Sequence, residues 1–136
     1  MVREIVTDIM FLKKRSLPAT KNDGQIVSDL KDTLRANRDR CVGMAANMIG
    51  ESKRIIIFTD GGRDTVMLNP VIVSRSGRYE TEEGCLSLIG VRRAVRYKQI
   101  EVRYLDEEMK QHQGKFSGFA AQVIQHECDH LNGVII

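Results

Sequence analysis

Apolar residues recur along this 136-residue chain with two different periods. In GQIVSDLKDTLRANR (24–38), Ile26, Leu30 and Leu34 stand four apart, which predicts an amphipathic helix. RIIIFTDGG (54–62) is a short apolar run followed by a glycine pair, and it reads as a strand closed by a turn. DTVMLNPVIV (64–73) predicts a second strand, in which Pro70 implies an edge or a bend. QIEVRYLD (99–106) alternates, with Ile100, Val102 and Tyr104 on one side and an acidic turn after it. A further strand is expected to include Lys115 and Phe116.

The pattern is clearest in SGFAAQVIQHECDHLNG (117–133). Ser117 is placed to cap a helix and Gly133 to end it in the left-handed region. Ala120, Val123, Ile124 and Leu131 make an apolar side, while Gln122, His126 and His130 share another face. Helices with two or three small antiparallel or mixed sheets around this last helix define an α+β class. The length suits a single domain over residues 1–136.

Composition narrows the function. Apolar residues are 42% and charged residues 29%, as in an ordinary globular protein. The net charge of +3, with lysines and arginines scattered, gives no reason to expect nucleic-acid specificity. No apolar run approaches the roughly 20 residues of a membrane span. MVREIVTDIM carries Glu4 and Asp8 where a signal peptide would be apolar, so a cytoplasmic location is expected. Three cysteines argue for free thiols, a metal ligand or a nucleophile rather than a disulfide framework.

HECDH (126–130) changes the picture most. Residues four apart on a helix lie one above the other, so His126 and His130 can share one cation. Glu127 is turned about 100° from His126, where it can exchange a proton with a water without ligating. A third histidine six residues on would complete one peptidase pattern, but that position is Ile136, so the third ligand is expected upstream. Cys128 lies about 200° around the helix from each histidine and reads as core. His112 sits in the polar KQHQGK and reads as solvated, and Cys41 as core or pocket wall. Cys85, in EEGCLSLIG, could complete a Cys-His-His site with an open position, its preceding glycine allowing a close backbone approach.

EGCLS (83–87) and HECDH (126–130), with CVGMAANM (41–48) before them, resemble the peptide deformylase family in content and order. The family's signatures are EGCLS, HEφDH and GφGφAAxQ, φ being apolar, and the likeness extends through LNP (68–70). The resemblance implies that Cys85, His126 and His130 bind one divalent metal, Fe²⁺ in the cell, with Zn²⁺ or Ni²⁺ accepted by the same donors. It implies that Glu127 takes a proton from water and returns it to the leaving amine, removing the formyl group from N-formylmethionyl nascent peptides, with a transient ribosome contact. It also implies two oxyanion donors, the backbone N–H of Leu86 and a glutamine amide at position 48.

Position 48 is Met48, and a thioether donates no hydrogen bond. Cys41 replaces the first motif glycine, and Ile89–Gly90 stands where the family often has proline. By position Val42, Gly43, Met48, Leu86 and Val123 line the substrate pocket, although apolar residues are equally expected of core. Three readings follow: a deformylase with reduced activity, an impaired metal-binding paralogue that holds peptide N-termini, and a zinc peptidase, against which EGCLS argues.

Overall fold

A computed structural model describes residues 1–136. Its helices are α1 (Ile9–Leu12), α2 (Gly24–Ala36) and α3 (Gly118–Leu131). Its strands are β1 (Gly43–Ala45), β2 (Ile55–Asp60), β3 (Arg63–Cys85), β4 (Leu88–Leu105) and β5 (Gln111–Ser117). Neighbouring strands pair antiparallel in the order β1-β2-β3-β4-β5. The several small sheets expected are thus joined into one hydrogen-bonded series, because β3 and β4 run much longer than their apolar stretches.

The two sheet faces are covered by different helices. Ile55 and Ile57 pack with Ile26, Leu30 and Leu34 of α2, while Ile56 and Phe58 pack with Val123, Ile124 and Leu131 of α3. This explains why Ile55–Phe58 is apolar without alternation: a strand buried on both faces has no polar side. Gly61 and Gly62, at φ +58° and +79°, turn the chain into β3.

Pro70 marks a bend and not an edge, since β3 lies between β2 and β4. The ladder shifts register between Leu68 and Val71, where Pro70 has no N–H to give. Asn69 adopts φ +52° there, and its side chain accepts from Ala19 N at 2.7 Å and donates to Ala19 O at 3.0 Å.

α3 is fastened against β4 beyond the end of β5. β5 pairs with β4 only from Gln99 onward, which leaves the Tyr97 backbone open. Gln125 fills the gap, accepting from Tyr97 N and donating to Tyr97 O, each at 2.9 Å. Ser117 occupies the N-cap position but its side chain makes no capping bond. It is still paired in β5, and Gly118 at φ +59° makes the turn into the helix. Gly133, at φ +74°, follows the helix end as expected, and a Cβ there would lie 2.2 Å from the Lys13 carbonyl oxygen.

Candidate metal centre and cleft

β3 ends at Cys85, and a two-residue turn of Leu86 and Ser87 leads to Leu88 at the start of β4. That turn sets the Cys85 thiol beside α3. The Cys85 Sγ lies 3.3 Å from His130 Nε2, and His130 Nε2 lies 3.1 Å from His126 Nε2. The donor atoms of Cys85, His126 and His130 all fall within 4.8 Å of one another. The elements that meet here are therefore a strand end and one face of a helix. Gly84 is not needed for that approach, since a Cβ on it would meet Gly90 O only at 3.7 Å.

The histidines are oriented from behind. His126 Nδ1 donates to Glu83 Oε1 at 2.8 Å, and a carboxylate only accepts, so the Nδ1 proton is fixed and Nε2 faces the triad. Glu83 is itself held by Arg96, whose Nη2 reaches Oε1 at 2.6 Å and Nε reaches Oε2 at 2.9 Å, and by Gln122 Nε2 at 2.9 Å. Arg96 continues to Asp129 Oδ2 at 2.8 Å. Burial would raise the Glu83 carboxyl, but the bonds from His126, Arg96 and Gln122 outweigh it and hold it at about 2. Behind the other ligand candidate, Asn47 donates to the His130 carbonyl at 2.9 Å.

Burial opposes a charged His126, but the Cys85 sulfur and Glu83 prevail and push it up to about 10. Burial, then the charge on His126, drive His130 down to about 3. A thiolate with two imidazoles is a donor set suited to a divalent transition metal.

Glu127 is 4% exposed, its Oε1 has no partner, and burial raises its carboxyl to about 7. An unpaired buried carboxylate is costly unless a ligand or water completes it. Gly43 is its close neighbour: a Cβ there would lie 3.0 Å from Glu127 Oε2 and 2.7 Å from Val123 Cγ1.

These groups open into a cleft of about 380 Å³. Val42, Gly43, Met48, Leu86 and Val123 all line it, together with Cys41. Met48 is 1% exposed and also belongs to the core around α2. The Cys41 thiol donates to Gly43 O at 3.0 Å, and burial raises it to about 11. Cys128 is buried in the α3 core and burial raises it to about 12. His112 is exposed, paired with Asp106 at 2.7 Å and stacked on Tyr104.

Sequence reasoning missed Arg96 and the support that Glu83, Gln122 and Asp129 give. Glu83 opens EGCLS and Gln122 shares a face with the histidines, so both carried a signal. Nothing distinguishes Arg96 from the other arginines of β4 until the strand is paired. Arg38, Arg40 and Phe119 on the cleft rim were also missed.

The family model described as polypeptide deformylase matches residues 2–136. The chain is 55% identical to a peptide deformylase of Clostridium beijerinckii over 136 residues, the full length of both. A peptide deformylase structure from Legionella pneumophila superposes with a TM-score of 0.89 at 34% identity, over 99% of this chain and 83% of that one. A Met-Ala-Ser-bound class I type b peptide deformylase from Acinetobacter baumannii gives 0.89 at 29% identity, over 99% and 97%.

Proposed function

Since this chain belongs to the polypeptide deformylase family, which uses one divalent metal to remove the N-formyl group from nascent formylmethionyl peptides, we propose that Cys85, His126 and His130 hold that metal and that Glu127 moves the proton. The observation that carries this reading is the meeting of three donor atoms within 4.8 Å beside a buried carboxylate with a free oxygen. When bound, a divalent cation supplies Lewis acidity that makes a water acidic near neutral pH.

The chain's own groups do the rest. Glu127, buried beside the triad with a free oxygen, is placed to accept a proton from water and pass it to the departing amine. The Leu86 N–H is the oxyanion donor, and Met48 offers none. Val42, Gly43, Leu86 and Val123 receive the methionine end of the peptide, and Glu83 with Arg96 keeps His126 aimed. Fe²⁺ is the metal in the cell, and Zn²⁺ or Ni²⁺ suit the same donors. The single domain of residues 1–136 works in the cytoplasm on chains leaving the ribosome, with at most transient contact there. The missing amide at position 48 is what favours the second reading, a slow or impaired enzyme that retains peptide N-termini.

The test is turnover of formyl-Met-Ala against unformylated Met-Ala, using protein loaded anaerobically with Fe²⁺. Release of formate from the first alone, with metal content and activity both lost in Cys85→Ala, is expected. Full metal content in Cys85→Ala would overturn the ligand assignment. Metal-loaded protein that binds formyl-Met-Ala without releasing formate would favour the second reading.

A further inference from the structure

On another face of α3 lies a second open cavity, of about 640 Å³, formed with residues 15–18 and parts of β3 and β4. Its lining is strongly one-sided in charge. Arg15, Arg54 and Arg75 border it, and its one acid, Asp129, is taken by Arg96 at 2.8 Å. None of the three arginines has a carboxylate partner. Arg54 donates only to neutral acceptors, Leu131 O at 3.1 Å, Asn132 Oδ1 at 3.0 Å and Ser16 O at 3.5 Å. Arg75 lies over the Tyr97 ring, 4.7 Å from its centre. Burial, and also the charge of Arg15, lower the proton affinity of Arg54.

A second observation is independent of charge. Ser16 borders the same cavity, is 4% exposed, and its hydroxyl has no hydrogen-bond partner. Its backbone is fully used, with N donating to Leu131 O at 2.9 Å and O accepting from Arg54. A hydroxyl with no partner in the chain, beside guanidiniums without carboxylates, needs only to turn toward the cavity to meet an oxyanion there. The plainer account, that Arg54 caps the C-terminal carbonyls of α3, explains Arg54 alone. It leaves Arg15 and the Ser16 hydroxyl without a task, and Arg75 with no partner but the Tyr97 ring.

We propose that this cavity is an anion site for a terminal phosphate group, bound by Arg15, Arg54 and Arg75 with a hydrogen bond from Ser16. Guanidinium forks on several sides suit a tetrahedral dianion, whereas a carboxylate occupies one fork. A terminal phosphate keeps three free oxygens, and a phosphodiester within a nucleic-acid backbone keeps two.

The experiment is calorimetric titration of the metal-loaded full chain with inorganic phosphate, with pyrophosphate, and with a short RNA lacking terminal phosphates, at low ionic strength. One saturable site for phosphate and pyrophosphate, weakened by salt, is expected. Arg15→Ala/Arg75→Ala removes two charged contacts and should weaken phosphate by roughly tenfold or more, with formyl-peptide turnover unchanged. Ser16→Ala should also weaken phosphate, yet melt no lower than wild type without it, because its hydroxyl bonds to nothing in the chain. Equal phosphate affinity in the double variant would locate binding elsewhere, at the metal above all, and overturn the proposal. Absence of saturable binding, or tighter binding of the unphosphorylated RNA, would overturn it too.

Discussion

His126 donates its Nδ1 proton to Glu83 at 2.8 Å, so a residue two places before Cys85 on β3 fixes the ring of a residue on α3. The strand thus supplies one donor to the triad and aims another. Replacing Glu83 by Gln keeps the shape and removes the charge that holds Arg96, buried at 4% exposure. Metal affinity should fall by about 10–100-fold, as for other partners behind ligating histidines. Competition with a chelator measures it, and unchanged affinity in a folded variant would show that Glu83 does not aim the ring.

Gly43→Ala should damage the cleft without touching the triad. The new Cβ meets Val123 Cγ1 at 2.7 Å and Glu127 Oε2 at 3.0 Å, with the Ile57 carbonyl at 3.3 Å behind. Overpacking of this kind costs about 1–3 kcal/mol. We expect a lower melting temperature and a lower kcat at full metal content, with part of both restored by Val123→Ala. No rescue by that second change would place the strain at the Ile57 carbonyl instead.

Met48→Gln would put a side-chain amide at the position to which the motif resemblance assigns the family's oxyanion donor. Met48 borders the cleft yet is 1% exposed, so the amide gains its role at some cost in burial. A recovered donor should raise kcat by more than about tenfold and leave KM little changed. An amide that finds no partner would cost about 1–3 kcal/mol instead. Rates on a formyl-Met peptide and melting temperatures on the same preparation separate the two. A folded, metal-loaded variant no faster than wild type would show that Met48 does not occupy the donor position.

Asp64 makes part of the stability dependent on acid. Arg38 above all holds its carboxyl below the ordinary range, with two bonds at 3.1 and 2.8 Å, and Thr59 Oγ1 adds one at 2.7 Å. A depressed folded-state value means that the contribution is present above the unfolded value near 3.8 and is lost as pH falls through the lower folded one. Because Arg38 is 42% exposed, solvent screens the pair and its contribution is small. Asp64→Asn should therefore flatten the decline of urea midpoint below pH 4 by a small, salt-sensitive amount. An acid decline identical to that of wild type would mean that the fork contributes nothing in solution.

The parts of the site that were legible in the sequence are those where chemistry sits in contiguous motifs. HECDH puts two imidazoles on one helix face by spacing alone, and EGCLS carries both Cys85 and Glu83. Arg96 was illegible because its partner is 13 residues away on another strand and its role exists only once β3 and β4 are paired. The extent of those strands was hidden for a related reason. Residues 74–82 (SRSGRYETE) are mostly exposed on both faces, so no apolar alternation marks them. Their pairing is set by the register inherited from the apolar stretches at either end. Ser117 shows the reverse case, in which the right residue type stands at a helix start and the preceding strand withholds its side chain.

Cys85 and His130 are 45 residues apart in the chain and 3.3 Å apart in space. A cation gripped by both is a cross-link as well as a reagent, closing a loop that contains β4, β5 and most of α3. In chain-entropy terms a covalent link across such a span is worth about 4 kcal/mol, and a coordinated ion acts in the same direction. Stripping the metal would then loosen the tip of the β3–β4 hairpin from α3, and the protein would lose mechanical integrity together with its chemistry.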